Sequence, residues 1–217
     1  MQLTLRSSFV TLVAVMVVAC ATVQPTENIG PNNPAALAAI KAAWTKANEQ
    51  RSFRARMTTD SGGKISESTI EFAAPASMHM VMKTQNMEQL VVDGAHYIKS
   101  DGKWARLPIA AGSFIEQMRK DPATIAALER TVSGAQVVGP ENVNGKRAIV
   151  YRYYQAGAIA GGLASSAGWV KVFVGDNGLP LKVESDATAR VLGFSSSGKT
   201  TIFYDDYGAP VRIVAPM

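Results

Sequence analysis

The chain has 217 residues, 18% of them charged, and a formal net charge of +5, enough for one domain of ordinary size. It holds one cysteine and two histidines, which excludes an internal disulfide framework and leaves a zinc site short of its three or four ligands. No basic run and no interleaving of basic with aromatic residues marks a nucleic-acid surface, and no internal repeat is visible.

The first element in chain order is a leader. Residues 1–19 carry one basic residue, Arg6, no acidic residue, and an apolar run over 9–19. This is the layout of a secretory signal, and the run is shorter than the roughly 20 apolar residues of a membrane-spanning helix. It ends in Val17-Val18-Ala19-Cys20, which resembles the lipobox of bacterial lipoproteins. The resemblance implies cleavage before Cys20 and acylation of that residue, the chain's single cysteine, with a diacylglyceryl group and an amide-linked chain. One acyl chain binds a membrane marginally and several bind it durably. Ala21 is not the Asp that holds lipoproteins at the inner membrane in enterobacterial-type sorting, so the expected location is the cell envelope, at an outer membrane facing the periplasm. Residues 20–33 are polar and rich in Pro and Asn, and read as a flexible tether.

The folded domain is expected over 34–217. Asn33 before Pro34 is a helix start, and Leu37, Ile40, Ala43, Trp44 and Ala47 recur at helical spacing, which predicts an amphipathic helix over 34–50. From Phe53 the period changes to two. Phe53, Ala55 and Met57 alternate with Arg54, Arg56 and Thr58. After Ser61-Gly62-Gly63, Ser66, Ser68, Ile70 and Phe72 alternate with polar residues, and beyond Pro75 so do Met78, Met80 and Met82. Strands over 88–92 and 95–99 flank Asp93-Gly94, a strong hairpin signal, and Asp101-Gly102 turns the chain again before Trp104. A helical excursion follows, broken at Asp121-Pro122, with Phe114, Ile115 and Met118 on one side of its first piece and Ile125, Leu128 and Val132 on one side of its second. Strands over 135–143 and 147–154 are joined by Asn144-Gly145. Residues 156–168 are almost all Gly, Ala and Ser, readable either as a lid or membrane-touching loop, with Ile159 and Leu163 dipping into lipid, or as a disordered connector. Strands over 169–174, 181–187 and 200–204 complete the chain. The sum is an α+β domain: a curved, largely antiparallel sheet of about ten strands, apolar on one face, with helices covering that concave face.

The layout resembles the LolA/LolB superfamily of lipoprotein carriers, including the LppX/LprG-type lipid-binding lipoproteins, over about residues 34–216. The resemblance rests on Val91-Val92-Asp93-Gly94 leading to Tyr97, on Asp101-Gly102-Lys103-Trp104, and on Asp176-Asn177-Gly178-Leu179-Pro180-Leu181-Lys182-Val183. It also rests on Tyr204-Asp205-Asp206-Tyr207-Gly208-Ala209-Pro210-Val211 with Pro216. It implies an incomplete β-barrel whose helices close an apolar cavity for the acyl chain of a lipid or lipoprotein. The lining expected on that basis is Met57, Ile70, Phe72, Met78, Met80, Met82, Leu90, Val92, Tyr97, Ile115 and Met118. No residue stands out as a device for handing over a lipoprotein, so lipid binding is the broader implication. The alternative is a non-carrier envelope protein, an interaction or assembly lipoprotein with a filled core.

Other chemistry finds little footing. Gly193-Phe194-Ser195-Ser196-Ser197-Gly198-Lys199-Thr200 matches the P-loop pattern letter for letter, but the phosphate cradle needs a helix after it, and Thr201-Ile202-Phe203-Tyr204 is strand-forming. A Gly/Ser hairpin and no nucleotide is the expectation. His79 and His96 fall on separate strands and no metal or other cofactor is implied. Ser165 and Ser166 only loosely echo a nucleophile elbow, so no enzyme is expected. Trp104 and Trp169 fit a core or a rim equally. The Met78-Met80-Met82 stripe suits a wall that adapts to varied apolar ligands, and equally an ordinary core.

Overall fold

The computed structural model describes residues 29–107, 122–159, 164–191 and 194–216. Eleven strands form one sheet: β1 (Ser52–Ser61), β2 (Lys64–Ala73), β3 (Ser77–Met82), β4 (Met87–Val92), β5 (Ala95–Ser100), β6 (Lys103–Leu107), β7 (Val132–Val143), β8 (Lys146–Ile159), β9 (Ala164–Gly175), β10 (Pro180–Val191) and β11 (Phe194–Asp205). Their spatial order is β6-β5-β4-β3-β2-β1-β11-β10-β9-β8-β7. Each neighbour is the next strand in the chain, except that β1 meets β11, and every pairing is antiparallel. β6 and β7 remain edges, so the sheet is an incomplete barrel.

The turns follow their sequence. Asp93-Gly94 and Asn144-Gly145 have positive φ at both central residues, 51° and 72° in the first and 50° and 82° in the second. That is the hairpin conformation Asn, Asp and Gly tolerate and β-branched residues do not.

Helix α1 (Pro34–Glu49) starts where expected, the Asn33 side chain accepting a hydrogen bond from the Ala36 amide at 3.0 Å. It buries Ala36, Ile40, Ala43 and Trp44, with Leu37 and Ala47 half-buried. Helix α2 (Pro122–Thr131) buries Ile125, Ala127 and Leu128; it stops one residue short of Val132, which opens β7 and is still buried. Lys41 and Glu129 tie the two helices by an ion pair. Both helices join one core cluster with Phe53, Ile70, Phe72, Tyr153, Val172 and Tyr204, and so cover one face of the sheet, the concave one.

Two expectations give way here. Residues 29–33, expected to belong to the flexible tether, are held against β7. The Gly134 amide donates to the Gly30 carbonyl (3.2 Å) and the Asn33 amide to the Ala135 carbonyl (2.8 Å). The Asn32 side chain donates to Val132 (2.9 Å) and accepts from the Ala135 amide (2.9 Å). Gly134 is required there: φ is +61°, and a Cβ would sit 2.7 Å from the Ile29 side chain. Over its described residues the small-residue segment is paired strand and not a disordered connector, while Leu163, expected at a lid or membrane-touching loop, lies outside them. β8 runs on to Ile159 and β9 begins at Ala164, paired from Gln155↔Gly168 to Ile159↔Ala164. A backbone ladder needs no side chains, and small residues let strands approach closely.

Candidate functional site: the concave face

Residues directly opposite in a ladder share a face, so register sorts the expected lining. Met57, Ile70 and Phe72 lie on the helix-covered face of β1 and β2, and Ile70↔Met80, Phe72↔Met78 and Ser68↔Met82 carry that face onto β3. The structure therefore brings these six together in one cluster. Met57 is half-buried and the other five are 1–2% exposed. Next to them Met78↔Val91, Met80↔Gln89 and Met82↔Met87 extend the surface onto β4. The methionine stripe is thus a patch two strands wide.

Leu90, Val92 and Tyr97 do not belong to it. His79↔Leu90 and Leu90↔Tyr97 place Leu90 and Tyr97 on the opposite, outer face, and Val92 shares their parity on β4. This corrects the expected lining, in which Met87, Gln89, Val91 and, through Gln89↔Ile98, Ile98 take their places. Three successive apolar residues, Leu90 to Val92, hide the parity of β4 from a reader of the sequence. The alternation on β3 was the signal that resolves it once the strands are paired. Cys20, Ile115 and Met118 lie outside the described residues.

Aromatic rings brace one side of the face. Phe53 stacks on Phe72 with centroids 5.1 Å apart, and Tyr204 meets Phe53 at 5.7 Å and Trp44 at 6.2 Å, both edge-on. Tyr153, on β8, is fully buried beside Trp44. Burial pushes the Tyr153, Tyr204 and Tyr207 phenols well above their ordinary value, so they stay protonated, and the Tyr207 hydroxyl donates to the Pro180 carbonyl at 2.9 Å. Polar groups are few on this face. The Gln155 Nε2 and Gln89 Oε1 atoms are buried without a hydrogen-bond partner. Burial lowers the pKa of His96, which therefore sits neutral. The concave face is therefore apolar, with isolated buried amides.

The outer face is mixed: Val150 and Phe173, with Phe203 packed on them, form a second buried apolar cluster there, while its β1–β3 and β11 part is charged. Arg54 bonds Glu71 (2.8 Å) and Asp206 (3.1 Å), and Arg56 bonds Asp205 (3.0 Å), around a pocket of about 400 Å³ that also touches Thr69, His79 and Val81. This pocket opens away from the helices. His79 and Lys99 both bond Glu88, at 2.9 and 2.8 Å, and these bonds, Lys99 foremost, hold the Glu88 carboxyl below its usual range. The two histidines thus point to opposite faces, and among the described residues no three His, Cys, Asp or Glu gather to hold a metal. The P-loop-like string lies in β11, residues 194–200 pairing with β10 from Val191↔Phe194 to Ser185↔Thr200, so it forms one arm of a hairpin and not a phosphate cradle. Trp104 pairs with Lys99, and Trp169 with Tyr154; both are outer-face residues, half-buried.

No family model matches the chain, and no curated protein matches it. Among solved structures it is similar to the lipoprotein LppX of Mycobacterium tuberculosis, with TM-score 0.61 and 18% identity over 84% of this chain and 100% of that one. It is also similar to LprF of Mycobacterium bovis, with TM-score 0.56 and 12% identity over 86% and 99%. The likeness to a LolA superfamily protein of Nitrosomonas europaea is looser, TM-score 0.30 at 11% identity over 76% and 91%. With LppX and LprF, at these identities, what is shared is the fold, and this chain's open antiparallel sheet with helices on one face is the architecture the sequence resemblance implied.

Proposed function

We propose that this chain is a lipoprotein of the cell envelope, anchored through acylated Cys20, that binds a lipid or acyl chain against the concave face of its sheet and catalyses no reaction. One observation carries the reading. Met57, Met78, Met80, Met82 and Met87 converge on a single surface with Ile70, Phe72 and Val91, beneath the helical cover of a fold shared with a lipoprotein. Each methylene removed from water contributes about 0.8 kcal/mol, so a 16-carbon chain carries about 10 kcal/mol of gross drive, enough to offset the several kcal/mol that association costs. Methionine side chains are unbranched and flexible, and can repack around such a chain where branched residues would resist.

Delipidated protein is expected to take up a fluorescent fatty acid, and Met57→Arg, which places a charge at the half-buried margin of the patch, to weaken uptake at least tenfold, with circular dichroism showing that the domain stays folded. Absence of uptake by the parent protein defeats the reading.

A second reading, a non-carrier interaction or assembly lipoprotein with a filled core, draws on the burial of the same residues, since Met78, Met80 and Met82 are already 1–2% exposed. Native mass spectrometry of protein extracted from membranes separates the two. A co-purified lipid supports the first, while a stable protein partner with no lipid supports the second.

A further inference from the structure

We propose that the outer face around Trp169 is a membrane-docking patch, which lays β8 and β9 against an anionic lipid surface. The inference rests on the acylation of Cys20 under the proposed function, and uses that anchor to ask which face must meet the bilayer.

The chain enters the domain beside Trp169. A Cβ on Gly134 would lie 2.7 Å from Ile29 and 3.6 Å from the Trp169 ring, so Ile29 and Trp169 meet over the same glycine on the outer side of β7. From there residues 30–33 cross the β7 edge and α1 begins on the concave side. Only residues 21–28 separate Ile29 from Cys20, a reach of about 30 Å at full extension. A sheet of eleven strands is wider than that, at about 4.8 Å per strand. The bilayer therefore lies within reach of the β7–β9 edge on its outer side, while β6 stands at the far edge.

What waits at that edge has the composition of a lipid interface. Tyr154 and Trp169 are cross-strand neighbours meeting edge-on at 5.5 Å, and Arg152 stacks on the Trp169 ring at 3.7 Å from its centroid. Lys171 pairs with Arg152 on the same face. Amphipathic Trp and Tyr rings favour headgroup depth, and each Lys or Arg near an anionic surface adds about 1 kcal/mol. The nearby carboxylates are already engaged, Glu184 by Lys182 and Asp186 by Lys199. Among the described residues Arg152, Lys171 and Arg190 have no carboxylate within salt-bridge distance, and so present net positive charge outward. The chemistry is that of a phosphate-bearing lipid surface and not of an apolar protein groove.

Protein extracted from membranes, reconstituted into phosphatidylcholine–phosphatidylglycerol vesicles containing acyl-brominated lipid, provides the test. Trp44 is buried and Trp104 stands on β6, so Trp169 should account for most of the bromine quenching. We expect W104F to quench as the parent does, W169F to lose quenching at least threefold, and R152E/K171E to lose it with an unchanged melting temperature. Equal quenching in W169F and parent, or none in the parent, overturns the proposal. A detergent-stable dimer abolished by W169E overturns it in favour of contact between copies. Intact mass of the same sample reports the lipid on Cys20. If Cys20 is bare the anchoring reading fails, and coupling it to a maleimide lipid supplies the anchor so that the patch is judged by the same quenching ratios.

Discussion

Replacing Gly168 by alanine adds one methyl group on β9 directly against the backbone of β10. The new Cβ would lie 2.2 Å from the Asp186 carbonyl oxygen, 2.4 Å from the Ala187 Cα and 2.6 Å from the Ala187 Cβ. These belong to the main chain of a strand held on both flanks, by β9 and by β11, so no side-chain rotation relieves the contact. Restoring an ordinary separation of about 3.5 Å moves the strands apart by more than an ångström, against a normal spacing of about 4.8 Å. Overpacking of this kind costs about 1–3 kcal/mol, and one or two stretched ladder hydrogen bonds add about 1 kcal/mol each. The expected loss is therefore about 3 kcal/mol, which for a domain of this length lowers Tm by about 10 °C. Thermal melts followed by circular dichroism measure it, with Ser165→Ala on the same strand as a control that should melt with the parent. A Gly168→Ala protein melting within about 2 °C of the parent would show that β9 and β10 are not packed as described.

Three further outcomes follow from particular residues. Asn32→Ala removes both side-chain bonds to β7 and should cost about 1–2 kcal/mol, with faster hydrogen exchange at the Ala135 amide as the local readout; unchanged exchange refutes the clasp. Burial depresses the His96 pKa, so below the ordinary histidine value of about 6.5 the unfolded chain takes up the proton more readily than the folded one. Stability should fall as pH drops from 7 to 5, and His96→Phe should flatten that slope; identical slopes would remove His96 from the account. Gln155→Leu removes a buried amide nitrogen that lacks a partner and should raise stability by about 1 kcal/mol, whereas a destabilised variant would show the amide to be satisfied in solution.

The elements that the sequence made legible are those in which local chemistry and burial agree. Asn33-Pro34 opens α1 because cap and ring suit a helix start, and Asp93-Gly94 and Asn144-Gly145 close hairpins because their residues accept positive φ. The alternation of Ile70, Phe72, Met78, Met80 and Met82 showed which side of β2 and β3 is covered. β4 was misread because Leu90, Val91 and Val92 are all apolar and all buried; its face is set by pairing with Met78 and Met80, which is tertiary information. Residues 156–168 offered no alternation at all. Their strands are specified by neighbours on either side and by the absence of bulk at Gly168, and a helix-or-strand period does not record the absence of bulk.

The clasp of residues 30–33 on β7 also decides where force enters the domain. A pull from the N-terminal side arrives at the Gly30, Asn32 and Asn33 bonds before it reaches α1, and is passed sideways into an edge strand that β8 backs along its length. The helical cover is thereby shielded from that load. The same bonds occupy the free backbone groups of residues 134 and 135, so a stray strand from another molecule finds that stretch of the margin already taken.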